Sequence, residues 1–479
     1  MPSLAGFDSN PVVVVGPDGT VSGDTGFTVP CQTCASEYLV TFQLDNTWGS
    51  VPCGGNPWVT GSMDGWSGWG AELSDVNENG RLVLGGCDVG DLVSQYGTAL
   101  LVFDENTLRG ICREFVNEFT SRYTNTKVLY ASKAYINPAL ARLIHEEGLG
   151  LDVVSGGELA VAYAAEVDSR LIYFHGNNKA PSELEMALDG SIGRVVIDSF
   201  HELEMLDRIA GDRGIVQDVM VRVSPGIDPH THVKTTTGIL DSKFGFSIET
   251  GHAASAIQRA IAAPNLDLVG IHFHLGSPIF ELEPYDTAIN TVLDFLVAFK
   301  EEGLNLREFS PGGGFAIGYV RDEPPPPISS YARVITDALK HCASDLGFGN
   351  PTLVVEPGRA IVGRAGVTLY TVGGIKDIPT IRKYVSLDGG MGDNIRPALY
   401  DSRYEAVVAN RMAAVPEETV TLVGKYCESG DYLIKDIELP VLETGDIIAI
   451  PSSGAYAPSM ASNYNLNPRP AVVMVKGGN

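Results

Sequence analysis

The distribution of apolar residues beyond about residue 127 alternates between short hydrophobic runs and longer stretches with helical spacing. The short runs predict strands at 127–132, 151–155, 171–175, 194–198, 217–224, 267–274, 307–310 and 352–356. The longer stretches predict helices at 138–147, 201–211, 252–262, 285–302 and 330–345. Eight strand–helix alternations over about 250 residues predict a (β/α)8 TIM barrel, an α/β fold whose functional residues lie at the carboxyl ends of the strands.

The segments on either side of the predicted barrel have a different pattern. Beyond about Val362, strand-like runs separated by Gly, Pro and Asp predict a C-terminal β-domain, which strands near 82–103 are expected to join. The barrel would then be inserted in this β-domain. Residues rich in Gly, Ser, Thr and Asp at the start of the chain predict a β-rich or partly disordered extension. The predicted division is 1–78 for the extension, 79–108 for the joining strands, 109–362 for the barrel and 363–479 for the β-domain.

The composition places the 479-residue chain among globular proteins with more than one domain. Its 33 basic and 59 acidic residues give a net charge of -26, which argues against nucleic acids and anionic membranes as partners. No apolar run reaches membrane-spanning length, and no signal sequence is evident. Cys87, Cys112, Cys342 and Cys427 are scattered, as in proteins of a reducing compartment. We therefore expect a cytoplasmic location.

Lys133 follows the first predicted barrel strand, inside an otherwise apolar stretch. Burial of an ammonium group is costly unless it is paired or deprotonated. A lysine with a lowered pKa is the residue that forms Schiff bases with carbonyl groups. The alternative interpretation is a lysine at a strand end whose stem packs on apolar neighbours while its ammonium group reaches water.

Two further motifs follow predicted strands. Gly312–Gly314 offers consecutive backbone N–H groups that suit a phosphate, although an ordinary loop is the alternative. In the segment 356–359, Glu356 could hold a protonated pyridine nitrogen, and Arg359 could bind a carboxylate or phosphate with two hydrogen bonds. A structural ion pair is the alternative for these two charged residues.

The sixth predicted strand ends in the sequence His-Phe-His-Leu-Gly-Ser at residues 272–277. One histidine could stack on a flat cofactor, and Gly276 and Ser277 could contact a phosphate. A metal site at His272 and His274 is the alternative, because residues two apart face the same side of a strand. No third ligand is evident, so we expect no metal.

Together these motifs resemble diaminopimelate decarboxylases, which are pyridoxal-phosphate enzymes of the alanine-racemase-like class. The resemblance extends from about residue 80 to the C-terminus and implies a TIM barrel inserted in a β-domain. It is carried by the number, order and spacing of these segments: 130–135, 151–159, 175–179, 238–247, 272–277, 356–359, 389–400, 427–431 and 454–456.

The resemblance implies a role for each matching residue. The implied cofactor site consists of Lys133, Asp152, His274, Gly276, Ser277, Gly312, Gly313, Gly314, Glu356, Pro357, Gly358, Arg359 and Tyr456. The implied substrate site consists of Arg359, Arg396, Tyr400, Glu428 and Tyr456. Lys133 would bind pyridoxal 5'-phosphate covalently, Glu356 would keep its pyridine nitrogen protonated, and His274 would stack on its ring.

The same resemblance implies a homodimer with shared active sites. Cys427 and Glu428 would enter the site from the other subunit, where Cys427 would protonate the substrate carbon after carbon dioxide has left. The implied reaction is decarboxylation of meso-2,6-diaminopimelate to L-lysine, the last step of lysine biosynthesis. Related decarboxylases of ornithine, lysine, arginine or carboxynorspermidine, an amino-acid racemase and an inactive regulator are the alternatives.

Overall fold

The computed structural model describes residues 14–15, 21–22, 76–228 and 241–477. Strand β1 (Val14–Val15) pairs antiparallel with β2 (Val21–Ser22). The rest of the predicted extension up to residue 75 lies outside the described residues. All elements from residue 76 onward belong to a separate compact unit.

The first elements of this unit lead into both the β-domain and the barrel. They are β3 (Val83–Leu84), β4 (Cys87–Asp88), α1 (Val89–Tyr96), β5 (Leu100–Asp104) and α2 (Glu105–Thr120). Asp88 and Asp104 begin the two helices by accepting hydrogen bonds from backbone N–H groups of the first turn. Strand β5 is almost entirely buried, as expected for a central strand.

Eight parallel strands form a closed barrel, which confirms the predicted fold class. They are β6 (Thr126–Ala131), β7 (Gly150–Val153), β8 (Ile172–Phe174), β9 (Arg194–Ile197), β10 (Gln217–Ser224), β12 (Leu266–His272), β13 (Glu308–Gly312) and β14 (Thr352–Val355). Pairing of β14 with β6 and of β9 with β10 closes the ring. A short strand, β11 (Phe246–Ser247), pairs beside the end of β10.

Helices follow the barrel strands as the periodicity predicts. They are α3 (Pro138–Glu146), α4 (Gly156–Ala164), α5 (Pro181–Asp189), α6 (Phe200–Asp212), α7 (His252–Ala262), α8 (Glu283–Leu296), α9 (Ile328–Asp345) and α10 (Arg359–Val362). The last of these is a single turn, and α2 packs against α9, α3 and β6 in the place of a full eighth helix. Phe115 and Phe119 of α2 meet the edge of the Phe315 ring there.

The β-domain is one sheet built from both ends of the described unit. Its later elements are β15 (Gly366–Ile378), β16 (Arg382–Leu387), α11 (Arg396–Tyr400), β17 (Val407–Val408), β18 (Glu418–Val423), β19 (Tyr432–Leu439), β20 (Ile447–Ile450) and β21 (Ala471–Val475). Strand β5 pairs antiparallel with β15 and parallel with β21. The barrel is therefore inserted in this sheet, as predicted, whereas the exact domain boundaries stay predictions.

The cysteines differ from the sequence expectation at one position. Cys112, Cys342 and Cys427 carry free thiols, but Cys87 is disulfide-bonded. The expectation of reduced cysteines is therefore wrong for Cys87, because spacing along the chain does not show which thiols the fold brings together. Among the described residues, no helix is both long and apolar enough to cross a membrane.

A buried ionic network lies at the amino ends of the barrel strands, opposite the predicted site. Glu308 is 3% exposed and accepts hydrogen bonds from Lys127 at 2.7 Å and from Tyr173 at 2.8 Å. Arg194 donates two more, at 2.9 and 3.1 Å. Burial raises the pKa of Glu308, but the charges and hydrogen bonds of Arg194 and Lys127 outweigh it, and the pKa is lowered.

We predict that Glu308→Ala lowers the free energy of unfolding by about 3 kcal/mol, because it removes the buried carboxylate that Lys127 and Arg194 share and leaves Arg194 paired with Asp218 alone. Asp267→Ala, which removes a half-exposed partner of Arg307, is the control and should cost about 0–1 kcal/mol. Since the pKa of Glu308 is lowered, its contribution is complete above about pH 4.5 and fades as the pH falls further. Urea unfolding at several pH values measures this, and equal losses for the two variants would contradict the prediction.

Candidate functional site

A cavity of about 800 Å³ opens at the carboxyl ends of the barrel strands. The residues that line it come from seven barrel strands or the loops after them and from the β-domain, and they include Lys133, Asp152, His175, Arg222, His272, His274, Ser277, Tyr319, Glu356, Arg359, Arg396, Tyr400 and Tyr456. A narrow space beside it is lined in addition by Gly313, Gly314 and Gly358. The barrel and the β-domain therefore build one site together.

Lys133 lies in a single 3-10 turn, Ser132–Ala134, directly after β6. The Lys133 side chain is exposed within the open cavity, so the cost of burying an unpaired ammonium group does not arise. The carbonyl of Ala134 in the same turn accepts hydrogen bonds from the Tyr456 N–H at 2.8 Å and from the Ser459 hydroxyl at 3.0 Å. The β-domain thereby fixes the turn that carries the lysine.

Glu356 follows β14 and is 6% exposed. One of its oxygens lies 3.0 Å from Nε2 of His272, and the other accepts a hydrogen bond from the Ser310 hydroxyl at 2.9 Å. Burial raises the pKa of Glu356, but His272, His175 and these hydrogen bonds lower it more strongly, and the net shift is downward. The site therefore holds an ionised carboxylate beneath the cavity.

Asp152 and His175 lie beside Glu356 with polar atoms that no described group satisfies. Nε2 of His175 is 3.7 Å from Oδ1 of Asp152 and 3.6 Å from Glu356, and within the described residues neither Nε2 nor Oδ1 has a hydrogen-bond partner. Burial raises the pKa of Asp152 and lowers that of His175. Buried polar atoms without partners mark a place where a bound group completes the hydrogen bonding.

The metal alternative takes a different form in the structure from the one in the sequence. His272 does not pair with His274; instead His175, His272 and Glu356 present ligand atoms within 4.8 Å of one another. Nδ1 of His274 accepts a hydrogen bond from the Gly313 N–H at 3.2 Å. His272 and Ser310 already contact the two Glu356 oxygens, and these contacts favour a role for the carboxylate other than metal binding.

Glycine is required where the loop after β13 passes close to its neighbours. Gly312 and Gly314 have positive φ angles of 76° and 112°. A Cβ atom on Gly313 would lie 2.2 Å from the Glu356 carbonyl oxygen, and one on Gly314 would lie 2.6 Å from the Gly276 carbonyl oxygen. This packing leaves backbone at the cavity wall without side chains, which is the arrangement that binds phosphate groups.

Arg359 connects this backbone wall to the β-domain. It is 6% exposed, and its Nε donates to the Ser277 hydroxyl at 3.2 Å. Its guanidinium lies 4.8 Å from the centre of the Tyr456 ring. Gly276, Gly312 and Pro357 are not among the residues that line the two spaces in the described chain; the Pro357 carbonyl accepts a hydrogen bond from the Ala131 N–H of β6 instead.

Arg396 begins α11 and is 5% exposed, and Tyr400 at the end of the same helix also lines the cavity. The Arg396 guanidinium lies over the ring of Tyr319 at 4.5 Å, and it donates to the hydroxyl of Tyr404. The sequence prediction missed Tyr319, whose only signal was its position shortly after the glycine segment. The sequence prediction also assigned no role to His175, which lies beside Asp152.

Cys427 and Glu428 do not line this cavity. They lie in the loop between β18 and β19, where Cys427 is exposed and its backbone N–H donates to Oδ1 of Asn465 at 2.8 Å. Within one chain the structure therefore brings together the predicted residues of the barrel and of α11, but not the predicted proton donor.

Comparison with known proteins identifies the family to which this arrangement belongs. The family profile described as "Pyridoxal-dependent decarboxylase, pyridoxal binding domain" matches residues 108–363. Diaminopimelate decarboxylase of Bacillus methanolicus is 45% identical over 84% of this chain and 94% of its own length. The chain belongs to the diaminopimelate decarboxylase family. The Bacillus subtilis member is also 45% identical, over 85% of this chain and 92% of its own.

A solved structure of this family has the same fold. Diaminopimelate decarboxylase from M. jannaschii in complex with L-lysine is 35% identical, superposes with a TM-score of 0.79, and covers 85% of this chain and 93% of its own. The family uses pyridoxal phosphate, and the cavity fits that group. Lys133 is accessible, Glu356 is ionised, Asp152 and His175 have unsatisfied polar atoms, and the glycine wall with Arg359 suits a phosphate.

We predict that Gly313→Ala weakens pyridoxal phosphate binding at least tenfold, because the added methyl group overlaps the Glu356 carbonyl and displaces the glycine wall. The matched control is Gly374→Ala in β15, where nothing lies within 4 Å of the new Cβ atom. Equilibrium dialysis of the cofactor measures both variants. An unchanged dissociation constant for a folded Gly313→Ala protein would show that the wall does not hold the cofactor.

Proposed function

We propose that the protein converts meso-2,6-diaminopimelate to L-lysine and carbon dioxide with pyridoxal phosphate, as the last step of lysine biosynthesis. The observation that carries this proposal is the cavity in which Lys133 and Glu356 face Arg359 and Arg396. The first pair suits the cofactor, and the second suits an acidic group of the substrate. The identity to diaminopimelate decarboxylases over most of the chain supports the same substrate.

The protein groups have distinct tasks around the cofactor. Pyridoxal phosphate supplies the electron sink that accepts the bonding electrons of the departing carboxylate. Lys133 would attach the cofactor, and the ionised Glu356 would accept a hydrogen bond from its protonated ring nitrogen. His274 would hold the face of the ring, while Gly312–Gly314, Ser277 and Tyr456 would hold the phosphate.

Substrate selection depends on the arginines that line the cavity. Diaminopimelate carries an amino-acid group at each end, and only one of its two carboxylates leaves. The enzyme must therefore hold the other end, for which Arg359, Arg396 and Tyr400 provide charge and a hydroxyl group. Burial strengthens these charged contacts because little water competes with them.

Cys427 and Glu428 complete the site from the other subunit of a homodimer. Their exposure in the loop between β18 and β19, outside the cavity of their own chain, supports this assignment. Cys427 then delivers a proton to the substrate carbon that has lost its carboxylate, and Glu428 binds the substrate. The thiol must come close to the reacting carbon, so dimer formation is required for turnover.

We also propose that the enzyme acts in the cytoplasm on a small-molecule substrate, without nucleic-acid or membrane partners. The net charge of -26 supports the absence of polyanionic partners. Free thiols at Cys112, Cys342 and Cys427 support a reducing compartment, whereas the disulfide at Cys87 is the feature that opposes it.

Product analysis tests the proposed reaction against its alternatives. Purified protein loaded with pyridoxal phosphate should release carbon dioxide and L-lysine from meso-diaminopimelate. It should prefer this substrate to L-ornithine and L-arginine by at least about a hundredfold, since those lack a second carboxylate for the buried arginines. Comparable turnover of ornithine, arginine or carboxynorspermidine would replace the proposed substrate with that compound.

Subunit complementation tests the shared site. Lys133→Ala and Cys427→Ala are each expected to be inactive, but a 1:1 mixture should recover about a quarter of the wild-type activity, because half of the dimers are mixed and each has one intact site. The control mixes Lys133→Ala with the double variant Lys133→Ala/Cys427→Ala, which has no intact site in any dimer. Absence of recovery after proven subunit exchange would place Cys427 in the site of its own chain.

A further inference from the structure

Tyr319 lies between the two arginines assigned to the substrate, at the cavity wall. Its hydroxyl oxygen is 2.6 Å from Nη1 of Arg359, and the guanidinium of Arg396 lies 4.5 Å from the centre of its ring. The residue is 9% exposed and is one of the residues that line the cavity. A single side chain thus contacts both charged groups of the predicted substrate wall.

The hydrogen of the Tyr319 hydroxyl cannot serve either arginine. A guanidinium group has five donors and no acceptor, so Arg359 donates to the tyrosine oxygen and can receive nothing in return. The hydroxyl hydrogen therefore remains for an acceptor. Next to two guanidinium groups at a cavity wall, the acceptor that fits best is an anionic oxygen.

The electrostatic environment makes this hydroxyl a strong donor. Burial raises the pKa of Tyr319, but the positive charges of Arg359 and Arg396 lower it more, and the net shift is downward. A more acidic hydroxyl donates a stronger hydrogen bond to an anion, and such charge-assisted bonds are about twice as strong as neutral ones.

Tyr404 also contacts Arg396 and provides a comparison for Tyr319. Its hydroxyl accepts a hydrogen bond from Arg396, and its ring meets the edge of the Tyr319 ring at 5.2 Å. Unlike Tyr319, it is not among the residues that line this cavity. Tyr404 therefore supports Arg396 from outside the cavity lining, whereas Tyr319 is itself part of that lining.

We propose that Tyr319 is a specificity-determining residue whose hydroxyl donates a hydrogen bond to the substrate carboxylate that Arg359 and Arg396 hold. This inference rests on the proposed function, because it names a third group that recognises the carboxylate retained in L-lysine. The three groups would form a clamp with guanidinium donors on two sides and a hydroxyl donor between them. A substrate without that carboxylate would leave the clamp unsatisfied.

The test compares two ligands that differ in this carboxylate alone. L-lysine retains it, and 1,5-diaminopentane lacks it. Calorimetry on enzyme loaded with pyridoxal phosphate should show that Tyr319→Phe weakens L-lysine binding at least tenfold and 1,5-diaminopentane binding less than twofold. In turnover, the KM for diaminopimelate should rise by a similar factor while kcat changes less than threefold, because the hydroxyl binds the retained end and not the reacting carbon.

Tyr404→Phe separates recognition of the carboxylate from support of Arg396. It removes a hydroxyl that touches Arg396 and should weaken L-lysine binding less than Tyr319→Phe does. Equal weakening by the two variants, or equal weakening of both ligands in Tyr319→Phe, would reduce Tyr319 to a positioning residue and overturn the proposal. Unchanged L-lysine affinity in Tyr319→Phe would also overturn it.

Failure of this inference is distinguishable from failure of the proposed function. If the wild-type protein does not decarboxylate diaminopimelate, the proposed function fails, whatever the variant shows. If the wild-type protein turns over diaminopimelate but Tyr319→Phe binds L-lysine normally, the function stands and the role of Tyr319 falls. The phenylalanine retains the ring packed against Arg396 and Tyr404, and an unchanged Tm and cofactor content confirm that each variant is folded.

Discussion

The pairing of β5 with β15 is the constraint on which the rest of the site depends. It joins residues 100–103 to residues 366–369, directly before and after the barrel, so the inserted barrel has both ends tied to one sheet. That sheet then brings Tyr456 to the turn of Lys133 through the hydrogen bond to the Ala134 carbonyl. Without this attachment, the lysine would lie at the mouth of a barrel with no opposite wall. Insertion of the barrel in the β-domain is therefore required to form the functional site.

In this site, burial and hydrogen bonding have opposite effects on the pKa of a carboxyl group. Burial alone would protonate Glu356, yet the carboxylate is kept ionised by His272 and Ser310, which occupy its two oxygens. Asp152, a few ångströms away, lacks such partners at one oxygen, and burial raises its pKa. The contacts of these two acidic residues under the same cavity therefore shift their pKa values in opposite directions.

The barrel was predictable from sequence because each of its strands is a short apolar run between polar turns, as in Gly150–Val153, where every residue is buried. The motif residues Lys133, His274 and Arg359 were predictable because they follow such strands. The sequence did not predict which helix occupies the eighth position around the barrel. Helix α2 precedes the first barrel strand in the chain and occupies this position through its packing against neighbouring elements. Tyr319 escaped detection for a related reason: its significance comes from Arg396, 77 residues later, and no local pattern connects the two.

The overall charge and the local charge of the protein have opposite signs, and this difference bears on substrate choice. The chain carries -26, yet five basic residues line the cavity against four acidic ones: Lys133, Arg222, Arg359, Arg396 and Arg403 against Asp152, Glu323, Glu356 and Asp401. A strongly acidic protein repels anions at long range, but diaminopimelate has two carboxylates and two ammonium groups and is neutral overall. Long-range repulsion therefore does not oppose its entry, and the buried arginines act only at contact distance. There, Tyr319 and Tyr404 contact the guanidinium groups through ring faces and hydroxyl oxygens, and among the described residues no acidic side chain forms an ion pair with Arg359 or Arg396. A substrate carboxylate therefore has no such partner to displace from either arginine.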